Sequence, residues 1–361
     1  MIKRYFTPVA DSKSYGAASM QIILDGIKFS SEIGFEPIIL GERKNKLRYY
    51  TRILKFWRKT DVVLAMYPYI CPPGVDNNHF RTLESSLINK MNKNRFSILY
   101  IVDLPIEQRL ATTGDTYAMD RKAYEIERKI FESFDMLCVF NEYMKRAIQQ
   151  KYKIQSNKFI EFAILDYGVE YKPIKEKELS EPIKLVYPGG GIDQKSGKWI
   201  EIIPYFKNIV YEFSGLNGEW INNLGRDNIT YRRLIPKESF FDFLSQKDFG
   251  IIYREFFDIN YYQFTSTSKF SAYMIAGLPV LCHSKFSYIS GLLNKYKVGF
   301  PFDSFDEIPR IVNKLTESEY NRVRNNCLKL GEKLQNGYFF KKAVGEALKN
   351  SSISKRYLAP P

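Results

Sequence analysis

Histidine is nearly missing from this chain, with only His79 and His283 in 361 residues. Two are too few for a histidine-based metal cluster or for acid–base relays at two sites, and each reads as structural. Cysteine is almost as scarce. Cys71, Cys138, Cys282 and Cys327 lie far apart, with no Cys-x-x-Cys or Cys/His ligand spacing. Neither a disulfide framework nor a zinc site is indicated, and a reducing cytoplasm fits. No Asp-x-Asp sequence occurs, so the two-carboxylate metal site that this motif supplies has no candidate. Long apolar runs are also lacking. The opening MIKRYFTPVAD has no signal-like apolar core, and the longest nearly apolar run, Ala272 to Cys282, falls far short of a membrane span. The expected protein is cytoplasmic, either soluble or peripheral to the inner membrane face.

The chain is long enough for two domains of ordinary size, each with its own core. Lys and Arg outnumber Asp and Glu by 54 to 40, a formal net charge of +14. Such an excess points to an anionic partner, for which nucleic acid, an anionic membrane face and sugar phosphates all qualify; lysine spread over solvated helices is the plain alternative. Nucleic acid is not expected, because no RNP, zinc-finger or helix-turn-helix signal accompanies the charge.

Met20, Ile23, Leu24 and Ile27 fall at i, i+3, i+4 and i+7, the stripe of an amphipathic helix. Short apolar runs follow: PIIL at 37–40, VVLAM at 62–66, ILYIV at 98–102 and MLCVF at 136–140. Continuous apolar runs of this length between helical patterns read as parallel strands buried on both faces. Between Tyr167 and Ile183, Pro173 and Pro182 bracket a charged stretch with no core-forming period, which places the domain boundary. The α/β alternation then restarts, with a helix expected around KWIEIIPYF at 198–206. The expected domains are 1–170, 183–335, and a C-terminal helix and tail at 336–361 that packs back on the first.

Two segments carry candidate chemistry. In YPGGGIDQKSGKW, at 187–199, a strand ends in Gly189, Gly190 and Gly191 before a polar loop and a helix. Glycines there let backbone N–H groups approach a phosphate or a sugar, and Lys195 would add charge; a tight strand-to-helix turn is the alternative. In TSTSKFSAYMIAGLPVLCHS, at 265–284, hydroxyl residues including Thr267 and Ser268 are good N-caps. A helix starting near Lys269 would aim its free N–H groups and an ammonium at one point suited to a diphosphate, and Gly277 and Pro279 end it. A capped core helix is the alternative here. Asp103, after a buried strand in LYIVDLP, is a candidate base or a turn residue. Glu107, Asp11 and Asp115 are weaker candidates. Gly16, opening the first helix, is placed beside the donor or simply permits a turn.

The pattern KxSxYxxAGLPV, followed by a helix and VGF, resembles bacterial glycosyltransferases of the two-Rossmann (GT-B) type. More specifically, it is similar to the group containing the glucosyltransferases that extend glycans on serine-rich adhesins and the related galactofuranosyltransferases. The likeness rests on LVYPGGG, on FGIIYRE at 249–255, and on Lys269, Ser271, Tyr273, Ala276, Gly277, Leu278, Pro279 and Val280. Shorter likenesses in the first half are VVLAMYPY, LYIVDLP, VFNEYM and ILDY. Two departures stand out. Ala272 occupies the position where a large retaining group carries a ribose-binding glutamate, and Tyr253, Arg254 and Glu255 replace a tryptophan-aspartate pair. Arg254 then adds phosphate charge or is a surface residue.

The resemblance implies an α/β chain of two Rossmann-like doubly wound domains. It would move a hexosyl group (glucose, galactose or galactofuranose) from a UDP-sugar to a glycan acceptor, lipid-linked or protein-linked, in polysaccharide or glycoprotein glycan assembly. Nucleotide-sugar contacts are expected from Gly16, Gly189, Gly190, Gly191, Lys195, Arg254, Thr267, Ser268, Lys269, Ser271 and Tyr273, with Asp103 as base. No metal or other cofactor is expected, since lysine, arginine and a helix dipole would stabilise the leaving diphosphate. The missing glutamate favours inversion. A homo-oligomer is compatible with this picture. The rival reading is an inactive GT-B-like binding subunit of a glycosyltransferase complex.

Overall fold

A computed structural model describes residues 1–7, 17–40, 46–69, 85–90, 92, 95–113, 121–255 and 259–350. The chain divides into two compact units, one of Met1–Gly168 with the segment from Gly337 onward, the other of Val169–Asn336.

The first unit is built on six strands, β1 (Lys3–Thr7), β2 (Glu36–Ile39), β3 (Val62–Tyr67), β4 (Phe96–Ile101), β5 (Met136–Val139) and β6 (Phe159–Glu161). They form one parallel sheet in the order β2-β1-β3-β4-β5-β6. Every residue of β3, β4 and β5 is buried, as expected for strands covered by helices on both faces. β1 and β6 were not anticipated. The first begins with Lys3 and Arg4, and the second is only three residues long, so neither has an apolar run to read. Helix Tyr338–Lys349 belongs to this unit. Asp166 holds its first turn, its carboxylate accepting from the amides of Phe339 (3.4 Å) and Phe340 (2.6 Å), where a helix leaves N–H groups unsatisfied.

The second unit has strands β7 (Ile183–Gly191), β8 (Ile209–Leu216), β9 (Ile229–Arg232), β10 (Phe249–Ile252), β11 (Val280–His283) and β12 (Gly299–Phe302). Its sheet is also fully parallel, in the order β12-β11-β10-β7-β8-β9. The chain runs outward from β7 through β8 and β9, then returns to β10 on the other side of β7. That reversal opens a crevice at the carboxyl ends of β7 and β10. The expected helix at 198–206 is instead one α-helical turn, Gln194–Gly197, and a 3₁₀ segment, Lys198–Ile202. Pro204 ends it, because the residue before a proline is driven out of the helical region, and Ile203 is extended (φ −62°, ψ 123°).

Candidate nucleotide-sugar site

A pocket of about 190 Å³ opens at the switch between β7 and β10, lined by the end of β7, the turn after it, Arg254 and Lys269. Its glycine wall is not explained by local geometry. None of Gly189, Gly190 and Gly191 has a positive φ. A Cβ on Gly190 would meet nothing within 4 Å, and one on Gly191 only Leu216 O at 3.8 Å. The protein therefore does not itself require three glycines, whereas a ligand approaching the backbone would.

The opposite wall is the start of helix Ser268–Ala276. Thr267 is its N-cap, with φ −76°, ψ 152° and a side chain accepting from Phe270 N at 3.3 Å. The Ser268 and Lys269 amides precede the point where intrahelical bonding begins, so they stay available to a ligand. Lys269 is half-buried and lines the pocket, its Nζ 4.7 Å from the centroid of the Tyr187 ring. An ammonium over an aromatic face is held by the ring quadrupole, which fixes where that charge stands. Gly277, at φ +69°, ends the helix, and buried Arg324 donates to its carbonyl at 2.7 Å.

Arg254 follows β10 and also lines the pocket. It hydrogen-bonds the Tyr262 hydroxyl, whose pKa is raised by burial and by Tyr187 and pulled back by Arg254. Asp193 caps the turn after β7, accepting from Ser196 N at 3.0 Å and Ser196 Oγ at 2.7 Å. Those bonds hold its pKa low, with a smaller contribution from Arg254. The base of the site is aromatic. Trp199, only 2% exposed, packs on Tyr187 (5.3 Å between centroids), Tyr253 (4.9 Å) and Phe305 (6.0 Å). Trp220 Nε1 ties the turn down through Ile192 O at 2.8 Å.

Gly189, Gly190, Gly191, Arg254 and Lys269 thus come together, with Thr267 and Ser268 forming the helix start beside them. Tyr273 and Ser271 do not line this pocket. The Tyr273 ring is fully enclosed, with its hydroxyl 3.0 Å from the carbonyl oxygens of both Val186 and Ile251. Gly250 makes room for it, since a Cβ there would come within 2.5 Å of the ring. Tyr273 clamps β7 to β10 and is spent on packing. Ser271 is 0% exposed on the same helix. Lys195 is exposed on its turn and does not line the pocket. Sequence reasoning missed Tyr187, Ile192, Ser196, Gly197 and Trp199, although the first two lie within two residues of a quoted glycine and the rest within the quoted segment.

Asp103 lies just after β4, half-buried, with one carboxylate oxygen accepting from Leu104 N at 2.7 Å. Glu107 forms an ion pair with Lys151, which accounts for its charge. His283 ends β11, its Nδ1 accepting from Lys285 N at 3.2 Å, and burial and the Lys285 charge keep its pKa low. Gly16, Asp11, Asp115, His79 and Cys71 lie outside the described residues. Among the described residues no group of three or more His, Cys, Asp or Glu is placed to hold a metal ion, and no helix is long and apolar enough to cross a membrane.

Two fully parallel, doubly wound sheets, one with a glycine-walled pocket at its switch point, define the GT-B glycosyltransferase fold. Residues 197–347 match the family described as Glucosyltransferase 3-like, C-terminal domain. A stretch of 88 residues is 35% identical to Glucosyltransferase 3 of Streptococcus gordonii; the match spans 24% of this chain and 26% of that protein. Among solved structures, the chain is similar to an α-glucosyltransferase in complex with UDP-glucose and DNA containing an abasic site. The TM-score is 0.66 at 10% identity, over 96% of this chain and 99% of the other. T4 phage BGT in complex with UDP and Mn²⁺ gives 0.55 at 13%, over 96% and 99%. A mutant of S. aureus TarM in complex with fondaparinux, α-GlcNAc-glycerol and UDP gives 0.57 at 13%, over 84% of this chain and 58% of TarM. At these identities the likeness to solved structures is one of fold.

Proposed function

We propose that the protein transfers a hexosyl group from a UDP-sugar to a glycan acceptor, with the donor diphosphate seated in the 187–269 pocket. The observation that carries this reading is the convergence on one pocket of an open glycine edge, a capped helix start and two cations, Lys269 and Arg254. A diphosphate leaving group gains negative charge as the glycosidic bond breaks, and donors already in place stabilise that charge without reorganising. The glucosyltransferase 3-like domain supports the reaction class, and the three related folds above were all solved with UDP or a UDP-sugar. Catalysis without a divalent cation is part of the proposal, resting on the protein-borne charge at the pocket. Asp103, at the carboxyl end of a central strand of the first unit, is the proposed acceptor-activating base, and inversion is the stereochemistry that a single base would serve.

The test is a thermal-shift screen of UDP-, GDP- and dTDP-sugars, followed by hydrolysis and transfer assays with whichever donor stabilises the protein. A UDP preference with turnover is the expected result. Stabilisation without hydrolysis or transfer would make the chain a binding subunit, and no stabilisation by any nucleotide sugar would overturn the reading.

A further inference from the structure

The pocket uses two cations, Lys269 and Arg254, and leaves the +14 excess unexplained. Half of that excess falls in one stretch. Residues 41–59 hold eight Lys or Arg against one Glu, a net +7, and no acidic residue occurs from 43 to 60. Most of the stretch is helix Lys46–Trp57 of the first unit. Tyr49, Ile53 and Trp57, at i, i+4 and i+8, are 0 to 1% exposed and fix the helix to the core. The opposite face is exposed at Leu47, Arg48, Thr51 and Lys55, and Arg58 and Lys59 continue it past the last turn. Its end is pinned, with Arg4 Nη1 donating to Phe56 O at 3.0 Å and Arg95 Nη2 to Arg58 O at 2.8 Å. A helix already fixed to the core presents its cations without a backbone ordering cost when it meets a surface of fixed negative charge.

We propose that this face docks the first unit on an anionic lipid bilayer. Four exposed cations with no acidic side chain between them complement a surface of phosphate headgroups. Leu47, 78% exposed on the same face, supplies an apolar contact at the headgroup boundary. Single-stranded nucleic acid is the poorer match, because stacking platforms are needed and Tyr49 and Trp57 are turned inward. The inference is independent of the donor pocket.

The test is co-sedimentation of the full chain with vesicles of phosphatidylcholine alone or with about 30% phosphatidylglycerol, at low and at about 0.5 M salt. Wild type should bind only the anionic vesicles, and salt should release it. A cation near such a surface is worth about fivefold, the equivalent of ~1 kcal/mol. Arg48→Gln, Lys55→Gln, Arg58→Gln and Lys59→Gln together should therefore weaken vesicle binding more than tenfold. A control with Lys207, Lys237, Lys314 and Lys329 each changed to Gln, all in the second unit, removes the same charge and should bind as wild type. Both variants should keep the wild-type melting temperature and UDP affinity. Equal loss in both would reduce the effect to net charge and overturn the assignment to this face. No wild-type binding to anionic vesicles, or displacement from them by a random DNA duplex at micromolar concentration, would overturn the proposal.

Discussion

Replacing Lys269 with alanine separates a phosphate contact from a solvated helix residue. Lys269 is the second residue of a helix capped by Thr267, and its ammonium is held 4.7 Å from the Tyr187 ring at the pocket wall. A diphosphate oxygen there would accept from the ammonium and from the neighbouring free amides. A hydrogen bond to a charged group contributes about 1.5–3 kcal/mol, which at about 1.4 kcal/mol per decade is a ten- to hundredfold loss of UDP affinity for Lys269→Ala. Uridine lacks the phosphates and should bind mutant and parent alike. Isothermal calorimetry with both ligands gives the comparison. Raising salt should narrow the gap only modestly, since a half-buried pair is screened less than a surface one. A companion variant, Thr267→Ala, removes the cap and should cost about 1 kcal/mol of stability while keeping the ammonium. If folded Lys269→Ala binds UDP as tightly as the parent, the helix start does not hold the diphosphate, and the proposed orientation of the donor is wrong.

Gly190→Ala should leave the melting temperature unchanged or slightly raised, because its φ is not positive and a Cβ there meets no protein atom within 4 Å; the same methyl should weaken UDP-sugar binding, and unchanged affinity would show that no ligand approaches this backbone. Glu127, fully buried and accepting from the hydroxyls of Tyr67 and Tyr152, has its pKa raised by burial from 4.5 to about 7. The folded state then holds a proton that the unfolded chain releases, so this contribution to stability is complete below the lower value and is lost as pH rises through the upper one. The loss is on the order of 3 kcal/mol. Glu127→Gln should flatten the fall in melting temperature between about pH 5 and 8, and an equally steep fall in the variant would reject this account. Asp103→Asn should lower turnover by about 10² to 10⁴ with donor affinity intact; normal turnover in the folded variant would leave Asp103 as a turn residue bonded to Leu104. Activity should survive exhaustive chelation, and its loss with recovery on adding manganese or magnesium would show that a metal, not Lys269 and Arg254, carries the leaving-group charge.

The α/β alternation was legible because fully buried parallel strands read as near-continuous apolar runs, as Val62–Tyr67 does and as Ile98–Ile101 does within the next strand. The start of the 268–276 helix was legible for a local reason too: capping by Thr267 and termination at Gly277 depend on residues within one turn of each end. Strand identity failed where the run was short or charged, as at Lys3–Thr7 and Phe159–Glu161. Glu127 was missed among the charged residues of RKAYEIERK, although Ala123, Ile126, Ile130 and Phe131 mark the face that buries it.

Sequence alone determined most of the strands and helices and where the Lys269 helix begins and ends, since periodicity, capping and chain-breaking act over a few residues. Tertiary structure decided which of those residues share a pocket. Lys269 and Gly190 are far apart in the chain and meet only because β10 returns beside β7, and Tyr273, one turn after Lys269 on the same helix face, reaches the strands themselves at Val186 and Ile251 instead of the pocket at their ends. Which turn of a helix meets the strand ends and which meets the strands depends on strand order and on where the helix crosses the sheet, and no local pattern encodes either.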